Sequence, residues 1–321
     1  MSGGGNGGVE TREVVVIGAG LAGIACARAL HDAGRDALVL DKGRGLGGRM
    51  ATRRTERGPL DHGAPWIEAQ GSGFARAVAA MVEGGHAAAW TEPAGRRVHA
   101  GLPGMSGALR GLAQGLDRRA SHEVREARRE GGGWRLAVET PEGSATLAAR
   151  HLVSTVPVPQ ARALLGGEPG LLAALEPVRM APCWTLLAWL DPPRPVPALR
   201  DAGDVALLSD EGAKPGRAPG GLVLHASAAW TAPRLEMERE EAARALLDLL
   251  AEALGERPAP AFAAAHRWRY ARTEAPLGRP FLAAPGLRLG GDWCLGSGTE
   301  DAWASGTAVA RDLLAAGGEA P

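Results

Sequence analysis

The sequence predicts an α/β protein with a Rossmann-type, doubly wound nucleotide-binding domain and a second α+β domain on an antiparallel sheet. Three observations predict it. A β-branched run leads into Gly18-x-Gly20-x-x-Gly23 and a helix pattern near the N-terminus. A Pro-punctuated stretch of alternating strands fills much of the second half. A strand, a Gly-rich turn and a helix then return at the C-terminus.

Residues 13–17 form a short apolar run, as expected of a strand buried on both faces. Residues 21–33 read as a helix closed by Gly34, and 37–40 as a second parallel strand. This order implies a right-handed crossover and the start of a doubly wound sheet. Residues 123–130, 134–140 and 145–156 alternate apolar with polar side chains between Gly-rich and Pro-Gly turns, which predicts a β-meander. Strand-like runs at 183–189 and 221–227 and a helix over 236–254 mark the second domain. Residues 287–289 and 299–315 supply the final strand and helix. The expected division is a loose tail over 1–11, a discontinuous nucleotide domain over 12–69, 102–158 and 282–321, and a substrate domain over 70–101 and 159–281.

Length and composition narrow the function classes. At 321 residues the chain can bury two cores. Acids and bases balance at 36 each, which argues against nucleic acid or an anionic membrane as the main partner. Cys26, Cys183 and Cys294 have no CxxC spacing, so a zinc site or disulfide framework is not expected, and a reduced, cytoplasmic setting is. The N-terminal tail lacks the pattern of a signal peptide, and no apolar run reaches the roughly 20 residues of a membrane helix.

The glycine motif carries the first chemistry. Gly18 permits the tight turn, Gly20 lets the backbone approach a pyrophosphate, and Gly23 lets the helix pack on the strand. The helix start offers unpaired N–H groups to phosphates. Asp41 ends the second strand, about 20 residues on, where a carboxylate can accept both ribose hydroxyls. Glycines also serve as plain turn residues, but here strand, helix and acid all fall in place. A second loop, Arg44-Gly45-Leu46-Gly47-Gly48-Arg49-Met50, follows at once, and Arg49 suits bidentate phosphate contact. A simple NAD domain has no need of it. A solvated basic turn is the plainer explanation; Leu60-Asp61-His62-Gly63-Ala64-Pro65-Trp66 argues against it, because it sets small residues where a backbone must approach a flat ring. FAD is the expected cofactor.

These segments, with His266-Arg267-Trp268-Arg269-Tyr270 and Gly290-Gly291-Asp292-Trp293-Cys294, resemble bacterial renalase-type flavoproteins of the amine-oxidase-like FAD superfamily. The resemblance spans most of the chain and thins between 69 and 116. It implies a hydroxybenzoate-hydroxylase-like two-domain fold holding FAD without a covalent bond, Cys294 included. By motif it implies that Gly18, Gly20, Leu21, Ala22 and Gly23 flank the pyrophosphate, and that Asp41, beside Lys42, holds the adenosine ribose. Gly48, Arg49 and Met50 would line the pyrophosphate and flavin side, with His62, Gly63 and Ala64 near the ring. Val124 would pin the adenine through its backbone, and Gly291 and Asp292 would meet a ribityl or phosphate group. Ala302 and Trp303 would face the pyrimidine end of the flavin. A helix start near Thr299 would stabilise negative charge there, with Glu300 and Asp301 turned to solvent.

The substrate pocket is expected between the domains. Trp66, Trp184, Trp189, His225, Trp230, His266, Trp268, Tyr270 and Trp303 are candidate walls. Of these, Trp268, Tyr270 and Trp303 sit in family-like motifs; the other tryptophans read as packing. His62 is a candidate base, although beside Gly63 it can equally hydrogen-bond its own loop. His225 and His266 read as strand histidines. Two functional classes follow. The resemblance implies oxidation of misreduced dihydronicotinamides, with O2 as acceptor and H2O2 as product. The alternative is an amine oxidase or desaturase acting on a small metabolite, for which the family's usual lysine and paired tyrosines are hard to find. Lys42 belongs to the nucleotide loop, Lys214 lies in a Pro/Gly-rich stretch, and Tyr270 is the one tyrosine. A flavin-binding scaffold without turnover is a third reading. No metal is expected, and the oligomeric state stays open.

Overall fold

The computed structural model describes residues 9–317. Most of the expected tail, residues 1–8, lies outside the described residues. The first strand, Glu10–Ile17, begins ahead of the predicted 13–17. Its polar start is held by partners: Glu10, Thr11 and Arg12 are in register with Leu147, Ala148 and Ala149. The Glu10 carboxylate also pairs with Arg119 at 2.6 Å and Arg12 at 2.8 Å.

This strand is the centre of a mixed sheet. It pairs in parallel with Gly143–Ser154 on one side and Ala37–Leu40 on the other. Asp117–Arg119 extends the sheet at one edge; Leu287–Leu289 and Leu282–Ala284 extend it at the other. Val14, Val15 and Val16 are fully buried, as a central parallel strand requires. On one face Val15 and Leu152 pack against Trp134, Leu136 and Trp293. The other packs under helix Leu21–Asp32 and the C-terminal helix Thr299–Gly317, through Ile24, Leu30, Val309 and Leu313. The meander is present as Glu123–Glu130, Gly133–Thr140 and Gly143–Ser154. Its last strand does double duty. The first half pairs antiparallel with the meander, and from Leu147 onward it also pairs in parallel with the central strand.

The second sheet is antiparallel, in the order Leu199–Ala202, Val205–Asp210, Gly221–Ala226, Arg179–Leu190, Pro260–Ala275. Helix Arg239–Leu254 covers it, setting Ala242, Leu246, Leu249 and Leu250 against Trp184, Leu186, Leu222 and Leu224. The helix starts later than the predicted 236, because Glu238 is extended (φ −66°, ψ 149°) and serves as its N-cap. The Ala-rich strand Pro260–Ala275 has weak alternation, and only Ala265 in it is buried. Its length comes from pairing with Arg179–Leu190.

The segment 70–101, expected with the antiparallel sheet, packs differently. It forms helix Ser72–Glu83 and the hairpin Ala87–Thr91/Arg97–Gly101. Phe74, Val78 and Met81 pack on Leu21, Met50, Ile67 and Met105, which belong to the nucleotide side. A small hairpin, Thr52–Thr55/Gly58–Asp61, joins the two sheets. Leu60 packs on Leu187, Trp189 and Val223, and Trp189 Nε1 donates to Thr55 Oγ1 at 2.8 Å.

Candidate active site

The parallel strand order puts the turn after Glu10–Ile17 at the carboxyl edge of the sheet, where doubly wound folds bind ligands. Gly18 sits at φ +109°, a conformation closed to most side chains. A Cβ on Gly23 would lie 1.9 Å from the Gly18 carbonyl oxygen, so the helix packs this closely only with glycine there. No side chain caps the start of helix Leu21–Asp32, which leaves its first amides free for a phosphate.

Asp41 is fixed by the turn itself. Its Oδ2 accepts from the Ala19 N–H and its Oδ1 from the Gly43 N–H, each at 2.6 Å. Each oxygen retains a further lone pair for a hydroxyl. The second loop is tied on both sides. Gly47 N–H donates to Ala19 O at 3.2 Å, and Ala64 N–H donates to Arg49 O at 2.7 Å. A Cβ on Gly63 would stand 1.9 Å from that Arg49 oxygen. The Arg49 guanidinium forms a bidentate pair with Asp292, at 2.6 and 2.5 Å. Residues 243 positions apart thus meet at one point, as a fork-to-carboxylate pair.

Between the two sheets lies a cavity of about 1220 Å³. Gly20, Leu21, Ala22, Arg49, Met50, Gly63, Ala64, Gly291, Asp292 and Ala302 line it from the nucleotide side. Cys183, His225, Trp268, Arg272 and Thr273 line it from the antiparallel sheet, and Trp66 and Arg200 also contribute. Trp268 is held by its indole N–H, which donates to His62 O at 2.8 Å.

Several expected residues lie elsewhere. Tyr270 does not line the cavity, because the strand is irregular beside it: Cys183 faces Trp268 but Ala181 faces Arg272. The His62 ring is also off the wall. It is buried against His266 at 4.5 Å and Trp268 at 5.4 Å, and burial pushes it down to about 4. Trp303 packs on Phe74 at 5.6 Å, leaving Ala302 at the cavity. Val124 is in the sheet core; Gly18, Gly23, Asp41, Lys42 and Gly48 lie off this cavity as well. Trp184, Trp189 and Trp230 are core residues. Glu300 is not turned to solvent. Its carboxylate accepts from the N–H groups of Gln70 and Gly71 at 2.7 and 2.8 Å, tying helix Thr299–Gly317 to the cavity-side loop. Asp301 accepts from Gly298 N–H at 2.8 Å and so caps its own helix.

Sequence reasoning also missed a buried charge cluster. Lys214 Nζ lies 3.0 Å from Asp61 and 2.6 Å from Glu211, and Arg217 reaches Asp61 at 2.6 Å. Burial alone would raise the Asp61 carboxyl, but Lys214 and Arg217 hold it below its usual value. Thr52 Oγ1 and Met105 N–H also donate to it. The signal was Asp61 itself, an acid inside an apolar strand-like run that needs a cation when buried.

The comparisons agree with this geometry. Residues 75–314 match the flavin-containing amine oxidoreductases, and residues 16–83 match the NAD(P)-binding Rossmann-like domain. The fold is similar to that of an Exiguobacterium sp. 255-15 protein assigned provisionally as a protoporphyrinogen oxidase (TM-score 0.76, 16% identity, covering 96% of this chain and 100% of that one). It is also similar to wild-type putrescine oxidase bound to putrescine (TM-score 0.70, 14% identity, the same coverage). The chain belongs to the flavin-containing amine oxidoreductase family. It is an FAD-dependent oxidoreductase, and the free helix amides, the glycine turn and Asp41 are the donor and acceptor set such a dinucleotide needs.

Proposed function

We propose that this protein is a renalase-like oxidase that takes hydride from dihydronicotinamides reduced at the wrong ring position. The observation that carries this reading is the proton chemistry of the cavity wall. Among the described residues neither lysine lines it: Lys42 is exposed, and Lys214 is sealed between Asp61 and Glu211. Tyr270 is absent from it too. Its one histidine, His225, is pushed down to about 4 by burial, then by Lys214, and is a weak, neutral base near pH 7. A dihydropyridine that loses hydride becomes an aromatic pyridinium and has no proton to surrender. A protonated amine must first be deprotonated.

When bound, FAD would supply the hydride acceptor and the route for two electrons to O2, so that dihydronicotinamide, O2 and one proton would give NAD(P)+ and H2O2. In this reading the cofactor is held without a covalent bond. Gly20, Leu21, Ala22 and Arg49 would hold its pyrophosphate, with Gly18, Gly23 and Gly48 shaping the backbone. Asp41 and Lys42 would take the adenosine ribose, and Val124 the adenine. Met50, Gly63 and Ala64 would serve the ring, Asp292 and Gly291 the ribityl chain, and Ala302 the pyrimidine end. Trp268, locked by His62, gives a flat wall against which a planar ring is oriented.

Amine oxidation is supported by family membership and by Glu68, Asp201 and Glu274, carboxylates on the cavity wall that suit an ammonium. Anaerobic flavin bleaching separates the two. Borohydride-generated mixtures of NAD(P)H isomers should bleach the flavin faster than pure 4-dihydro NADH and faster than any of a panel of amines. Bleaching by amines alone overturns the proposal.

A further inference from the structure

Trp66, at the cavity, is flanked by two guanidiniums. The Arg96 and Arg200 Cζ atoms lie 5.1 and 5.2 Å from its ring centroid. Arg96 is neutralised in part by Glu92 at 2.9 Å and Glu68 at 3.7 Å. Arg200 and Arg272 line the same cavity, and among the described residues neither has a carboxylate within 4.0 Å. Partial burial, then the nearby Arg96, lower Arg200 from its ordinary value, with a smaller push from Arg272 and opposition from Asp201 and Glu92. Asp201 and Glu274 are the opposing acids of this rim. The Thr273 Oγ1 atom is buried and has no hydrogen-bond partner, and Thr273 lines the cavity.

Two unpaired guanidiniums, brought to one cavity from opposite edge strands of the antiparallel sheet, and an unpartnered hydroxyl are a donor set for an anion. We propose that Arg200, Arg272 and Thr273 form a subsite for the diphosphate of a dinucleotide substrate. The subsite deepens the dihydronicotinamide reading and rests on it for the identity of the substrate. Arg272 stands four residues along strand Pro260–Ala275 from Trp268. That is roughly 13 Å of extended chain, and less across the irregular register there, a span suited to a ribose and its phosphate. A nicotinamide ring against Trp268 then leaves its diphosphate at the arginines. Arg200 comes from strand Leu199–Ala202 and already stands 5.2 Å from the Trp66 ring centroid, so an anion held by it lies close to that indole.

The test uses the FAD-loaded protein and inorganic pyrophosphate, read by tryptophan fluorescence and by perturbation of the flavin spectrum. Wild-type protein should bind pyrophosphate more tightly than succinate, with affinity falling as salt rises. Arg200→Ala and Arg272→Ala should each weaken it about tenfold, Arg200→Lys less, and Glu274→Gln should tighten it. In turnover, each alanine variant should raise the half-saturating concentration of the dinucleotide isomers about tenfold and shift that of the phosphate-free dihydronicotinamide riboside less than twofold. The subsite is overturned if pyrophosphate leaves the wild-type signals unchanged, if the alanine variants bind it like wild type, or if succinate binds as tightly. If pyrophosphate binding depends on both arginines but no dihydronicotinamide bleaches the flavin, the anion subsite stands and the substrate reading falls.

Discussion

The Lys214 ammonium lies 3.0 Å from the Asp61 carboxylate, and both side chains are sealed from solvent. With Glu211 and Arg217 they form a cluster of two cations and two anions pinning the hairpin Gly58–Asp61 to the loop after strand Val205–Asp210. Lys214→Met leaves two buried carboxylates facing one guanidinium. The expected loss is about 3–5 kcal/mol of stability, measured by urea unfolding of the FAD-loaded protein. In the fraction that folds, flavin reduction by its best donor should change less than about threefold, or about 0.7 kcal/mol of barrier. A collapse of that rate in a stable variant would instead make Lys214 part of the chemistry and favour amine oxidation.

Arg49 and Asp292 bring the second loop and the C-terminal turn into one bidentate contact, with Asp292 buried. Arg49→Lys keeps the charge and loses the fork, so FAD should bind about tenfold more weakly; Arg49→Ala should weaken it about a hundredfold. Free flavin fluorescence after ultrafiltration measures both. Equal retention of FAD by Arg49→Ala and wild type would remove Arg49 from the cofactor site.

Gly63→Ala tests the approach of the 63–64 turn to the second loop. Its new methyl would stand 1.9 Å from the Arg49 carbonyl oxygen, a backbone atom that cannot swing away. The turn must shift, breaking the Ala64 N–H to Arg49 O bond. Stability should fall by about 2–3 kcal/mol, and the purified protein should carry less than half the flavin of wild type by its absorbance ratio. Full flavin content would show that the loop moves without cost to the site.

Local chemistry explains which parts of this site were legible in the sequence. The glycine turn, Asp41 and Arg49 are short-range signals, because turn geometry and helix amides impose residue types at fixed spacing. The family match and the fold agree with the FAD-binding class drawn from them. What the wall of the cavity contains was less legible. Tyr270 and Trp268 sit in one motif, yet a register irregularity opposite Pro182 puts only Trp268 at the cavity. Glu300 looked like a first-turn acid for solvent, and only the distant Gln70–Gly71 loop gives it partners. Lys214 reads as a loop lysine until Asp61, 153 residues earlier, closes over it. Contacts of that range have no local pattern to betray them.

Three histidines, His62 buried and His225 and His266 partly so, weigh most on the acid side of the stability profile. Burial pushes His62 and His225 down to about 4 and His266 to about 3. Unfolded, each would take up a proton near pH 6.5. Between pH 6.5 and 4 the unfolded chain therefore binds more protons, and the stability held above pH 6.5 is lost as pH falls toward the folded values. The expected slope is up to about 1.4 kcal/mol per pH unit for each histidine, and His62→Phe should flatten it in urea titrations at successive pH. Asp61, held below its usual value, adds its own loss only at lower pH. The same shifts predict the kinetics. With His225 neutral throughout, flavin reduction by a dihydronicotinamide should be flat from pH 6 to 8, whereas reduction by an amine should climb as the free base forms. A reduction rate for the dihydronicotinamide that rises tenfold per pH unit in that range would place a titrating base in the cavity and sink the proposed hydride-only chemistry.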